Sequence, residues 1–389
     1  MLHSSGVSFY DHQTPECETL PSDIYLQDED KGADDIHVPG QSESRQCCFL
    51  TLQLDPFRKL KAARRKINLT MDVKNREISN EHNKTEITEF LLLGFQVSQS
   101  LRIFLFCLFL VVYCLTIFGN LLIIILVSTS KILYTPMYFF ISQLSISDIL
   151  VTSDIVPNLL HILLNNGGTM SFIGCITQLY VFCSLETFEC FLLAVMSYDR
   201  YVAICNPLRY SSIMTSGRCV ILIISCWLFG FSIMLIDTIT TATLNYCGPN
   251  IIDHLFCDLV PLLELACSDT YIIDLEVYLL SIPNVIFPVS IIILSYAYVF
   301  LTVFRIPSTT GRQKAFSTCS SHLIVVSIFY WTIFSVYIVP TKGRTLTMSK
   351  ILSLLYTVFT PLVNPIIYSL RNKDIKKIVQ KTLYKRVTW

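Results

Sequence analysis

Charge is what this chain has least of. Aspartate, glutamate, lysine and arginine make up 15% of its 389 residues, where a soluble protein carries about a quarter. That shortfall, beside 52% hydrophobic residues, argues against a cytosolic enzyme and against a disordered chain. Glycine is sparse at 13 residues, against 25 phenylalanines and 19 tyrosines, which excludes collagen-like and low-complexity architectures. Acidic and basic residues balance at 29 each, so the chain is not basic overall, as many nucleic-acid binders are, and no nucleic-acid partner is expected. HExxH, GxSxG, Walker and dinucleotide-binding strings are missing, so neither an enzyme nor a catalytic residue is expected. Residues 1 to 70 hold no apolar stretch resembling a signal peptide, and the first spanning helix is expected to act as the targeting signal.

What is present is a series of apolar runs. A membrane-spanning helix needs roughly 20 apolar residues to cross about 30 Å of hydrocarbon. Five stretches carry no formal charge: Ile103 to Ser130, Cys219 to Ile236, Val277 to Phe304, Ala315 to Thr341 and Ile351 to Leu370. Two more are interrupted by acids, Met137 to Leu163 by Asp148 and Asp154, and Ile173 to Tyr198 by Glu186 and Glu189. The pattern predicts an all-α membrane protein, a seven-transmembrane helix bundle over residues 102–370. Loops after the first, third and fifth spans carry Lys131, Arg200, Arg209, Arg218, Arg305, Arg312 and Lys314, and the C-terminal tail is rich in lysine. The opposite loops hold Asp237, Asp253, Asp258, Glu264, Asp269, Asp274 and Glu276. The basic side is therefore expected to be cytoplasmic, with the C-terminus there and the N-terminus outside.

The ends differ from the spans. Residues 1–70 are polar, with an acidic stretch followed by a basic one, and read as a disordered extension or an alternative upstream start ahead of Met71. Residues 71–101 then form an extracellular N-terminus carrying the glycosylation sequon Asn83-Lys84-Thr85. Within 371–389, Ile375, Ile378, Val379 and Leu383 recur at helical spacing among lysines, which predicts a short cytoplasmic amphipathic helix on the inner leaflet of the lipid bilayer. On the outer side lie Cys175, Cys247, Cys257 and Cys267, enough for two disulfides in any of three connectivities. His254, Cys257 and Asp258 could alternatively be metal ligands; the location and the even cysteine number favour disulfides, and no metal is expected.

Four strings are more specific than topology. The third span ends Met196-Ser197-Tyr198-Asp199-Arg200-Tyr201-Val202-Ala203-Ile204-Cys205-Asn206-Pro207, and the seventh ends Pro361-Leu362-Val363-Asn364-Pro365-Ile366-Ile367-Tyr368. Pro136-Met137-Tyr138-Phe139-Phe140 opens the second, and Lys314-Ala315-Phe316-Ser317-Thr318-Cys319-Ser320-Ser321-His322 opens the sixth. Together these resemble the olfactory (odorant) receptor family of class A G-protein-coupled receptors, from about Glu86 to Lys381.

The resemblance implies roles. It pairs Cys175 with Cys257 and Cys247 with Cys267. It makes Asp199-Arg200-Tyr201 a latch that releases Arg200 toward a G protein, where the plain alternative is a helix-end ion pair. Asn364-Pro365 becomes a hinge that repacks Tyr368 toward Tyr296; Asn364 or water is expected to repair the hydrogen bond that proline removes. Asp148 with Glu189, and Asn120 as a neighbour, form a candidate sodium site, while Glu186 could face a ligand. Ligand-lining residues are expected to include Phe182, Cys183, Glu186, Ser281, Asn284, Ile333, Tyr337, Leu354 and Thr357, a mostly apolar set that suits a small volatile molecule. Trp331 stands where the family usually has glycine and is expected to reshape the cavity floor or perturb activation. The implied activity is an odorant receptor that activates a stimulatory heterotrimeric G protein and raises cAMP. A channel or transporter using Asp148, Glu186 and Glu189 is the alternative, weakened by the lack of any inverted repeat.

Overall fold

The computed structural model describes residues 87–247, 249–268, 270–335 and 346–371. The 1–70 extension, Asn83, Tyr337 and the amphipathic helix past Arg371 lie outside the described residues.

Seven described helices are long and apolar enough to cross a bilayer. They are α1 (Gln99–Thr129), α2 (Pro136–Asn165), α3 (Phe172–Cys205), α4 (Ser216–Ala242), α5 (Tyr271–Arg305), α6 (Thr309–Ile333) and α7, which runs through Leu346–Leu354, Leu355–Phe359 and Thr360–Arg371. Their starts are set locally. Pro136 occupies the first turn of α2, where its missing N–H costs nothing. Ser171, Thr215 and Ser308 cap α3, α4 and α6 by accepting from the Gly174, Arg218 and Gly311 amides. Asn166 ends α2 in the left-handed region at φ 57°.

The helices are inverted relative to a soluble bundle. On α1, Phe104, Val111, Phe118 and Ile125 recur every seven residues and all point outward, whereas Thr116 and Asn120 are buried. Lipid accepts the apolar face, so polar groups turn to one another. Central to the bundle is α3, which packs against α2, α4 and α5. Gly230 of α4 lies so near that a Cβ there would stand 2.9 Å from the Ser184 carbonyl oxygen.

Two helices widen locally. Ile282–Ile286 of α5 and Leu355–Phe359 of α7 form single π turns. Each is followed by a proline, Pro288 or Pro361, that cannot donate to the residue four back. Thr360 gives the Leu355 carbonyl two donors across the widened turn, its backbone N–H and its Oγ1.

Beyond the helices is a three-stranded sheet that apolar runs did not forecast. Strand β1 (Glu89–Leu92) lies centrally, antiparallel to β2 (Gly168–Ser171) and parallel to β3 (Ile251–Ile252). Phe90 and Leu92 face inward from it and pack with Cys175, Leu179 and Cys257. The fold is mostly helical with a small β cap.

Candidate functional site

The cap gathers side chains from far apart in sequence. Disulfides join Cys175 to Cys257 and Cys247 to Cys267. The first ties the loop before α5 to the opening turn of α3, and it leaves Cys257 no thiolate for a metal. Gln178 adds a bridge, accepting from the Cys257 amide at 3.0 Å and donating to the Asp154 carbonyl of α2 at 2.9 Å. Lys350 of α7 donates to the Gly94 carbonyl at 2.7 Å and pairs with Asp253.

His254 is buried at the cap's centre. Its Nδ1 lies 3.2 Å from the Phe256 carbonyl and its Nε2 3.3 Å from Ser353 Oγ. A carbonyl can only accept, so the proton sits on Nδ1 and Nε2 accepts from Ser353. Burial lowers the His254 pKa, against the opposing pull of Asp258. The same burial raises Asp258, although His254, the Leu259 amide and the Tyr356 hydroxyl pull it back.

Beneath the cap lie three of the residues expected to line a ligand, Phe182, Cys183 and Leu354. Phe182 of α3 packs edge-on against Phe256 with ring centroids 5.5 Å apart, and against Tyr356 of α7 at 5.7 Å. Cys183 and Leu354 border the same apolar cluster. Glu186, one turn further along α3, is half-buried and makes no hydrogen bond or ion pair with the described residues. Asn284 sits in the π turn of α5, buried, with Oδ1 unpartnered among the described residues. Ser281 instead donates back to the Tyr278 carbonyl, and Thr357 is fully buried, donating to the Ser353 carbonyl. Ile333 borders a different cluster, the one that holds Tyr296 and Tyr368. Trp331 corrects the expectation placed on it. Its side chain is 70% exposed and stacks on Phe334, so it points outward and forms no cavity floor. The sixth helix is rotated to place Phe329 and Thr332 inside instead.

Midway along the bundle is a polar knot. Asn364 Nδ2 donates to both oxygens of Asp148, at 3.0 and 3.3 Å. Ser147 lies beside Glu189. Asn120 bonds elsewhere than to Asp148: its Nδ2 donates to the Pro361 carbonyl at 3.1 Å. The reason is Pro365, which has no N–H to offer the carbonyl four residues back. Repair of the proline break therefore comes from α1 and not from Asn364, and Gly119 lets α1 approach, a Cβ there standing 3.2 Å from Pro365 Cγ.

At the far end, Arg200 pairs with Asp199, its Nε 3.0 Å from Oδ2, and both are buried. Tyr210, beyond α3, donates to the other Asp199 oxygen at 2.8 Å. Burial and the adjacent Asp199 raise the Tyr210 pKa, keeping the phenol protonated as a donor. Tyr201 packs its ring against Tyr198 and Tyr298. Tyr296 bonds His322 Nδ1 at 2.6 Å, while the Tyr368 hydroxyl has no partner among the described residues. Tyr296 and Tyr368 share one cluster without sharing a hydrogen bond.

A family model described as olfactory receptor matches residues 106–386. The chain belongs to the olfactory receptor family. Olfactory receptor 10A7 of Homo sapiens is 44% identical over 305 residues, covering 78% of this chain and 96% of its own length. Olfactory receptor 6B9 of Mus musculus is 45% identical over 301 residues, covering 77% and 95%. The crystal structure of squid rhodopsin superposes with a TM-score of 0.59 at 18% identity, over 76% of this chain and 88% of that one, and shows the fold alone. As an olfactory receptor the chain is a multi-pass plasma-membrane signalling receptor and not an enzyme; membership implies odorant ligands and coupling to a heterotrimeric G protein. A channel or transporter built on Asp148, Glu186 and Glu189 is not favoured. Sequence reasoning about this olfactory receptor missed His322 and Tyr210 as partners, although His322 closes a string already singled out. It also passed over Lys350, whose rarity as a base on an acidic side was a usable signal.

Proposed function

We propose that this receptor binds a small odorant-like molecule beneath the disulfide-linked cap and activates a stimulatory heterotrimeric G protein, raising cAMP. The cap faces the extracellular side and the Arg200 end faces the cytoplasm, in line with the lysine and arginine bias of the loops. The observation that carries the reading is the arrangement at Arg200. A permanently charged guanidinium is held inside the helix end by a carboxylate that Tyr210 also holds. Ligand binding that favours an open bundle releases Arg200 from Asp199, and the energy is the ligand's differential affinity for the two states. Asn364 and Pro365 provide the hinge, and rearrangement of α7 lets the Tyr368 hydroxyl find the partner it lacks among the described residues.

Sodium fits the polar knot. Asp148 and Glu189 supply carboxylate oxygens, and Glu189 Oε1 and Asn120 Oδ1 are buried without partners among the described residues. Oxygen donors of this kind suit a hard cation. Such an ion would hold α2 and α3 together and favour the resting state. No group of three His, Cys, Asp or Glu side chains among the described residues is placed to hold a metal ion.

The test is a cAMP assay on cells expressing the receptor, challenged with an odorant panel. Ligand-dependent cAMP is expected, and Arg200→Ala is expected to abolish it with surface expression intact. An unchanged response in that variant would remove Arg200 from the mechanism.

A further inference from the structure

Phe182, Glu186 and Glu189 stand at i, i+4 and i+7 on α3, and therefore on one face. Their contacts give that face a direction. Phe182 meets Phe256 of the cap and Tyr356 of α7, and Glu189 lies beside Ser147 of α2. Glu186 sits between them and points into the bundle interior, under an aromatic roof. It is half-buried there, whereas Phe182 and Glu189 above and below it are closed off.

The charged neighbours of Glu186 are acids. Glu189 and Asp258 act electrostatically on its carboxyl, and Asp258, Asp237 and Asp154 on Cys183 one turn away. No lysine, arginine or histidine of the described residues pairs with Glu186. An independent acceptor lies on another helix. Asn284 is only 6% exposed, and its Oδ1 has no hydrogen-bond partner among the described residues. It occupies the π turn of α5, a segment that packs against α3. Buried acceptors that lack donors are costly, and more so in a site closed off from water. One ligand class supplies what is missing: a positive charge, several N–H donors and an apolar body for Phe182, Cys183 and Leu354.

Resting on the receptor reading, we propose that Glu186 is the counter-ion for a protonated amine, so that this receptor's ligands are small organic cations with a hydrocarbon body. The ammonium donates to Glu186 and to Asn284 Oδ1, and the hydrocarbon lies against the apolar cluster beneath the cap. A bare metal ion is a poorer occupant, because it has no apolar body to set against Phe182, Cys183 and Leu354.

The experiment uses full-length receptor purified in detergent. Thermal unfolding is followed with a panel of linear and cyclic primary amines, each paired with the alcohol of the same carbon skeleton. Amines are expected to stabilise the receptor and their matched alcohols are not. Glu186→Gln is expected to weaken the amine by about 30-fold or more, as for truncating one partner of a buried charge pair, and Glu186→Asp to retain part of the effect. Equal stabilisation by amine and alcohol, none by either, or full amine binding in Glu186→Gln would each overturn the assignment. Should Glu186→Gln fail to fold, the amine-against-alcohol comparison in the wild type and in Glu186→Asp decides. The cAMP response to the same panel is read separately. Glu186-dependent amine binding without cAMP would sink the signalling reading while supporting the counter-ion.

Discussion

Asn120 shows how one amide can hold two helices. Because Pro365 leaves the Pro361 carbonyl without its helical donor, the α1 side chain reaches across to supply one. Asn120→Leu removes the donor and leaves a buried carbonyl unsatisfied, a loss of about 1–3 kcal/mol. A lowered unfolding temperature of the purified receptor checks this, and Asn120→Leu is expected to destabilise more than Thr129→Val at the exposed end of the same helix. His254 makes a pH prediction. Its pKa is lowered in the folded protein from the ordinary 6.5, so the unfolded chain binds more protons between the two values. Stability tied to His254 is complete above 6.5 and falls as the pH drops through that window. Asp258, raised from 3.8, acts oppositely in the range just above 3.8. Unfolding temperatures at mildly acidic and neutral pH are expected to differ less in His254→Gln than in the wild type. An unaltered pH slope in the variant would count against the buried neutral imidazole.

At the scale of elements, the α3–α4 contact depends on one missing side chain. A Cβ at Gly230 meets the Ser184 carbonyl oxygen at 2.9 Å and the Phe188 amide at 3.1 Å, both backbone, whereas at Gly217 it meets nothing within 4 Å. Gly230→Leu is therefore expected to separate the helices and cost surface expression, with Gly217→Leu close to wild type. Comparable expression of the two variants would contradict the packing. The seven helices were legible because a run of twenty apolar residues has few other meanings. The sheet was not, since β1 and β3 are short and pair at long range, Leu91 with Ile251 and Leu92 with Ile252, with no periodicity to announce it. The cavity-floor reading of Trp331 failed because the residue type expected at a position says nothing of how the helix is turned. The partners of Asp148 and Asn120 were half legible. Polar residues on apolar spans had to meet something, but only the bundle decides that Asn364 meets Asp148 and Asn120 meets a carbonyl.

For the whole molecule, the two ends are held together in different ways. The cap is covalently closed and joins the N-terminal segment, α3 and α7 through Cys175–Cys257 and the Lys350 contacts. The Arg200 end is held by side chains that can let go. Lys350→Met is expected to loosen the cap, seen as faster amide exchange in β1 and β3, while leaving the Asp199–Arg200–Tyr210 contacts alone. Exchange rising equally at both ends would show that the two are one cooperative unit.

The central place of β1 in its sheet also sets a timetable. The strand emerges first, yet its parallel partner lies far downstream, Leu91 pairing with Ile251 and Leu92 with Ile252. At roughly 5–20 residues per second of synthesis, the edge of the nascent strand that faces β3 waits about 10 to 30 seconds, while β2 reaches the other edge in about half that time. In the proposed orientation Cys175 reaches the oxidising lumen during that interval, before Cys257 exists. Pulse-labelling of nascent chains with a thiol reagent is expected to find Cys175 reactive until the residue-257 region has crossed the membrane, and protected soon afterwards. Biosynthesis of this receptor thus passes through an open-capped stage whose length is fixed by the order of its strands.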